Sequence, residues 1–174
     1  MWETKESKII YNGKVVKLRI DYLGDGENKV REVIQHPGAV AILPLISEDK
    51  VILVNQYRYP IGRWILEVPA GTLKEGESPE ECALRELEEE VGYKARRLKK
   101  MLTIYPSPGY STEVIHIYLA SGLEKSTQRL EEDEQITIVE LGLDEAIKEL
   151  SRNGEVDGKT FITLLYYKYV YRRS

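Results

Sequence analysis

Residues 71 to 93 read GTLKEGESPEECALRELEEEVGY, and no other stretch of the chain restricts its fold and chemistry so tightly. Ser78-Pro79 marks a helix start, with Ser as N-cap and Pro at the first helical position. Glu80 and Glu81 fall in the first turn, where the helix dipole favours negative charge. Gly92 supplies the stop. Leu84, Leu87 and Val91 recur at i, i+3 and i+7 and are expected to form the core-facing stripe. Glu86, Glu89 and Glu90 share another face. At roughly 100° per residue that face is expected to lie well over a right angle from the stripe. Carboxylates crowded together in this way repel one another unless cations occupy the cluster. Hard oxygen ligands suit Mg²⁺ or Mn²⁺.

Just before this stretch, Trp64 to Gly71 reads as a short apolar strand ending in a small-residue loop. Ala70 and Gly71 would let a backbone carbonyl approach a metal held by the helix. Arg85 is placed to pair with Glu77 in the loop or with Glu81 one turn earlier, and so to organise the carboxylates. A solvated acidic face on an ordinary helix is the alternative. The loop glycine, the arginine and the stop, all in register, speak against it.

Gly71-x5-Glu77-x7-Arg85-Glu86-Leu87-x-Glu89-Glu90-x-Gly92-Tyr93 resembles the Nudix box of the Nudix hydrolases. Only Tyr93 is loose, since the family usually has an aliphatic residue there. The resemblance implies an α/β (α+β) Nudix fold, a mixed β-sheet layered between helices. It also implies divalent-metal hydrolysis of a nucleoside diphosphate linked to another moiety.

The rest of the sequence fits a compact enzyme. Its 174 residues are 42% hydrophobic, enough for one such domain with a small extra element. The 25 basic and 29 acidic residues are interspersed, with no basic stripe of the kind nucleic-acid binding needs. Cys82 is the single cysteine, which excludes an internal disulfide and a thiolate cluster and reads as a packing residue. His36 and His116 are isolated, so a zinc role is not expected. No apolar run reaches membrane-spanning length and no signal peptide is read, so a cytoplasmic location is expected.

Residues 1–37 are expected to form a small antiparallel β-sheet, with turns at Asn12-Gly13 and Gly24-Asp25-Gly26. Residues 38–174 then form the main domain. Ala39 to Ile46, Val51 to Tyr57, Ala95 to Ile104, Glu113 to Ala120 and Gln135 to Leu141 read as its strands. Leu143 to Ser151, capped by Asp144, and Thr160 to Arg172 read as helices.

Downstream of the box, Ser107-Pro108-Gly109 places Pro108 fifteen residues after Tyr93. That setting resembles the ADP-ribose pyrophosphatase branch, as do Arg31-Glu32, Pro37 to Val40 and Gln56-Tyr57-Arg58. By the same resemblance Glu132, in the Glu131-to-Ile136 loop, is the general base and Glu134 reaches a metal; one residue of register error would exchange them. Metal ions would be held by Glu86, Glu90 and Glu134 with the Ala70 carbonyl, and Glu89 would assist or bind a further metal. Arg58 is the candidate to grip the diphosphate bidentately. Pro108 belongs to the substrate loop, and Glu113 is assigned to the distal ribose. Branch members are homodimers that exchange the N-terminal sheet, so Arg31 and Glu32 would touch adenine in the partner's site. The Tyr166-to-Tyr171 tail reads as amphipathic helix packing, with its exposed tyrosines a secondary candidate for interface contact. Three readings follow: hydrolysis of ADP-ribose to AMP and ribose 5-phosphate, a Nudix enzyme for another nucleoside diphosphate sugar or a damaged nucleotide, and a sensor that binds ADP-ribose without cleaving it.

Overall fold

Two strands, β4 (Ala39–Ser47) and β5 (Lys50–Arg58), form the centre of the computed structural model, which describes residues 3–24, 29–130, 132, 134–152 and 154–173. Both strands are apolar almost throughout because both of their faces are covered. Val40 and Ile42 point to one side and pack with Ile52, Val54, Leu87 and Val91. Ala41 and Leu43 point to the other and pack with Val51, Leu53, Leu150 and Leu164. Alternation along one strand thus builds two cores.

The sheet runs β10-β5-β4-β9-β8, adding β8 (Tyr93–Ile104), β9 (Ile115–Lys125) and β10 (Ile136–Gly142) to the central pair. β6 (Arg63–Glu67) pairs with β5, and β7 (Ala70–Thr72) pairs with β4. β4 and β9 are parallel and the other pairings antiparallel, so the sheet is mixed. Helix α1 (Pro79–Val91) covers one face. Helices α2 (Leu143–Ser151) and α3 (Gly158–Tyr169) cover the other. The layering is the expected one.

The α1 boundaries are those the sequence predicts. Ser78 and Glu81 form a reciprocal capping box, and Gly92 is left-handed at φ 71°. The buried stripe differs. Leu84 is 43% exposed, and its place is taken by Cys82 and Ala83 beside Leu87 and Val91. The helix is rotated so that Glu86 and Glu90 also turn inward, at 8% and 2% exposure. The acidic face therefore borders the core instead of lying opposite it. Two smaller corrections concern the later helices. Asp144 is not the cap of α2: Gly142 holds that position, with its N–H donated to Glu145, while Asp144 pairs with Lys168. α3 starts two residues earlier than expected, capped by Asp157.

The N-terminal sheet is β1 (Thr4–Asn12), β2 (Lys17–Leu23) and β3 (Val30–Gln35), antiparallel in that order. The turn expected at Asn12-Gly13 closes with the Gly13 N–H on the Val16 carbonyl. Asp25 and Gly26 of the second turn lie outside the described residues. This sheet meets the main domain through the loop that carries Pro108. The Ile34 N–H donates to the Tyr110 carbonyl at 2.8 Å, and the Thr112 N–H donates to the Ile34 carbonyl at 2.9 Å.

Candidate active site

The Glu86 side chain of α1 fills the space that a side chain at position 71 of β7 would take. A Cβ there would sit 1.9 Å from Glu86 Oε1. This cradle explains the small residues before the helix: Ala70 and Gly71 are a strand rather than a loop, and the missing side chain leaves room for the carboxylate. The Ala70 N–H donates to Glu90 Oε2 at 3.0 Å. Burial raises the pKa of Glu90 well above the carboxylate range, and repulsion from Glu86 and Glu134 adds to it. Burial also raises Glu86, partly countered by Arg85. Such a pair is stable as carboxylates only with positive charge beside it.

Arg85 supplies part of that charge. Its Nε and Nη2 donate to the two oxygens of Glu77, at 2.7 and 2.9 Å. Its Nη1 donates to Glu86 Oε1 at 2.5 Å and to Glu89 Oε2 at 3.1 Å. Glu77, not Glu81, is therefore the partner, because Glu81 is engaged in the capping box. Arg85 holds the Glu77 carboxyl down at about 2. Cys82 beneath them is buried and its thiol is pushed up to about 12, so it packs and does not ionise.

Glu134 joins from the far side of the sequence because the chain after β9 crosses the C-terminal end of α1. There Arg129 N–H caps the Glu89 carbonyl at 2.8 Å and the Gln128 side chain caps the Glu90 carbonyl at 2.6 Å. Glu86, Glu89, Glu90 and Glu134 with Ala70 and Gly71 then line one cleft of about 360 Å³. All their donors are oxygen, which fits a hard divalent ion. Among the described residues no three carboxylates already converge as a ligand set. Arg85 holds one oxygen each of Glu86 and Glu89 and leaves the second oxygen of each to a cation.

The other expected site residues divide. Arg58 lines the cleft, but its Nε and Nη2 already grip Glu67 at 2.7 and 2.8 Å. The side-on edge of the guanidinium is thus taken, and its end-on edge, the remaining N–H groups of Nη1 and Nη2, is the one left to grip a diphosphate. Glu132 is an exposed turn residue outside the cleft lining. Arg31, Glu32, Pro108 and Glu113 are outside that lining as well. Lys14 and Val15, in the β1–β2 turn, also reach the cleft; nothing in a turn dipeptide announces such a reach. Glu67 was also passed over, although a lone carboxylate inside an apolar strand is the signal for a buried ion pair. A larger cavity of about 790 Å³ lies between the β5–β6 hairpin and the α2–α3 connection and shares Arg58. It receives none of the α1 carboxylates, which line the smaller cleft instead.

A glycine-cradled carboxylate helix on a mixed sheet of this layering defines a metal-dependent phosphohydrolase, and the comparisons agree. The NUDIX domain family matches residues 35–164, and the chain belongs to it. Two relatives are similar over most of their length. It is 42% identical over 168 residues to the methanol dehydrogenase activator of Bacillus methanolicus, spanning 94% of this chain and 91% of that protein. It is 42% identical over 161 residues to the ADP-ribose pyrophosphatase of Bacillus subtilis, spanning 90% and 87%. A crystal structure of an ADP compounds hydrolase shares the fold, with a TM-score of 0.82 over 99% of this chain and 96% of that one at 21% identity.

Proposed function

We propose that this chain hydrolyses the pyrophosphate bond of ADP-ribose to AMP and ribose 5-phosphate, using Mg²⁺ or Mn²⁺. The observation that carries the reading is the cleft itself: buried Glu86 and Glu90 against Gly71, joined by Glu134, in a chain 42% identical to an ADP-ribose pyrophosphatase. The bound divalent ion supplies neutralisation of the diphosphate and a more acidic water. Glu86, Glu90 and Glu134, with the Ala70 carbonyl, are the residues assigned to hold it. Glu89 assists from beside them. Arg85 keeps the free carboxylates spaced and partly neutralised until the ion arrives. Arg58 offers its end-on edge to the diphosphate. Glu132 accepts the proton of the attacking water when its loop brings it to the cleft. The full set of carboxylates argues against a sensor that only binds.

The active form is a homodimer in which the N-terminal sheet is exchanged. Two observations support it. Arg31 and Glu32, on β3, are exposed and away from the cleft of their own chain. Ile9, Ile10 and Tyr11 on β1 and Val15 in the turn after it are more than half exposed, apolar surface that asks for cover. In the dimer Arg31 and Glu32 meet adenine in the partner's site, while Pro108 and Glu113 belong to the loop at the ribose end. A water-soluble nucleotide substrate fits a cytoplasmic location, and no helix among the described residues is long and apolar enough to cross a membrane.

A substrate panel with Mg²⁺ tests the reading. ADP-ribose should show the highest kcat/KM, against a GDP-linked sugar and an oxidised nucleoside triphosphate, with AMP as product. A preference of tenfold or more for another nucleoside diphosphate sugar would leave the site intact and overturn the substrate.

A further inference from the structure

Glu67, on β6, is the least accessible carboxylate in the molecule's described interior, at 0% exposure. Isolated burial would drive it to its neutral form. It instead accepts the Arg58 fork through both oxygens and a third bond from Lys159. Burial pushes its pKa up, yet Arg58 and Lys159 together pull it below the ordinary carboxylate value. Lys159 also donates to Asp157 at 3.0 Å. Asp157 in turn caps α3 through the Thr160 N–H at 2.9 Å and accepts the Thr160 hydroxyl at 2.6 Å. Thr160 Oγ1 then receives the Val68 N–H at 2.9 Å. Two cations and two anions balance, and the group is tied both to the first turn of α3 and, through Val68, to the chain just after β6.

Arg58 stands where this network meets the cleft. It lines the cleft together with Glu90 and Glu134, and its charge is felt by Glu90. An arginine so placed has two anionic attractions. It can bind the substrate diphosphate, or it can collapse onto the carboxylates that are assigned to the metal. Holding the Nε–Nη2 edge on Glu67 opposes the second and leaves the end-on edge, Nη1 with the second Nη2 N–H, for the first.

We infer that Glu67, braced by Lys159, is a positioning residue for the hydrolysis: it keeps the Arg58 guanidinium off Glu90 and Glu134 and presents its end-on edge to the diphosphate. Glu67 touches neither substrate nor metal and acts only through Arg58. The inference rests on the proposed ADP-ribose reading.

The test compares wild type, Glu67→Gln, Lys159→Met, Arg58→Ala and the Glu67→Gln/Arg58→Ala double variant. For each, three quantities are measured: KM and kcat for ADP-ribose, the Mg²⁺ concentration for half-maximal rate, and metal-free ADP-ribose binding by calorimetry. Glu67→Gln should raise KM and weaken metal-free binding by about tenfold, the effect of losing one charged hydrogen bond. It should also raise the Mg²⁺ requirement, because the released arginine competes for the carboxylates. Lys159→Met keeps the acceptor of the fork and loosens only its brace, so it should move the same quantities by about threefold. In the Arg58→Ala background, Glu67→Gln should add nothing to the loss of binding. Folded Glu67→Gln with unchanged KM, binding and Mg²⁺ requirement overturns the inference, as does an additive double variant. Should Glu67→Gln fail to fold, an unchanged Lys159→Met overturns it equally. Wild type that neither binds nor cleaves ADP-ribose refutes the substrate reading instead, which separates the two failures.

Discussion

The cleft under α1 and the N-terminal sheet are built on opposite terms. In and beside the cleft the charges are bonded: Arg85 holds three glutamates, Glu90 takes a backbone N–H, and Glu67, behind Arg58 and outside the cleft lining, is held by two cations. In the N-terminal sheet all of β1 is exposed. That sheet also holds the one buried side-chain polar atom without a partner among the described residues, Arg19 Nε. Its most ordered feature is local, Asp21 accepting from Ser7 at 2.6 Å and from Arg19 at 2.8 Å. A three-stranded sheet without a covered face is marginal alone. The α1 carboxylates are thus bonded within one chain, whereas β1 presents its whole length to solvent.

Substitutions can break that contrast. The largest effect is expected at the buried carboxylates. Glu86→Gln or Glu90→Gln should reduce kcat by more than about a hundredfold, since even outer supports of metal sites are worth 10–100-fold. The metal-free melting temperature should not fall, because a repelling charge has gone; a large drop would mean that these residues serve the fold. Next comes Gly71→Ala. The added Cβ overlaps Glu86, so activity should drop at least tenfold and stability by about 1–3 kcal/mol, measured by rate and by denaturant midpoint.

A third substitution sharpens the other side of the comparison. Arg31→Ala should raise KM for ADP-ribose by about tenfold while leaving the Mg²⁺ requirement unchanged. An altered metal requirement would place Arg31 in the reactive centre and dissolve the distinction. The smallest effect is one of pH. Glu86 and Glu90 have pKa values raised from the ordinary 4.5 in the folded chain. Groups shifted this way add stability at low pH that is lost as pH climbs through their folded values. A divalent ion binds their anionic forms and offsets the loss. The rise in melting temperature on adding Mg²⁺ should therefore grow from about pH 5 to pH 8; a constant rise would point to binding elsewhere.

Local signals were legible in the sequence and distant partnerships were not. Ser78, Pro79, Glu81 and Gly92 set the ends of α1 through bonds within a few residues of one another. The strands β4 and β5 announced themselves by unbroken apolar runs. Periodicity alone misassigned Leu84, because a stripe at i, i+3 and i+7 fits several rotations of the helix. The glycine at 71 decides among them by letting Glu86 in. Arg58 was legible as a cleft residue, but its partner Glu67 is held by Lys159, 92 positions further on, and no local pattern joins them. Glu134 was reached only through family resemblance, since its approach depends on the chain crossing the end of α1.

The central claim is that the α1 carboxylates support metal-dependent cleavage of ADP-ribose. The most direct measurement is AMP release from ADP-ribose by the wild-type protein with Mg²⁺ and with excess chelator. AMP and ribose 5-phosphate in equal amounts, abolished by the chelator, is the result this account predicts. Release that persists in chelator, or no release at any Mg²⁺ concentration, would contradict it.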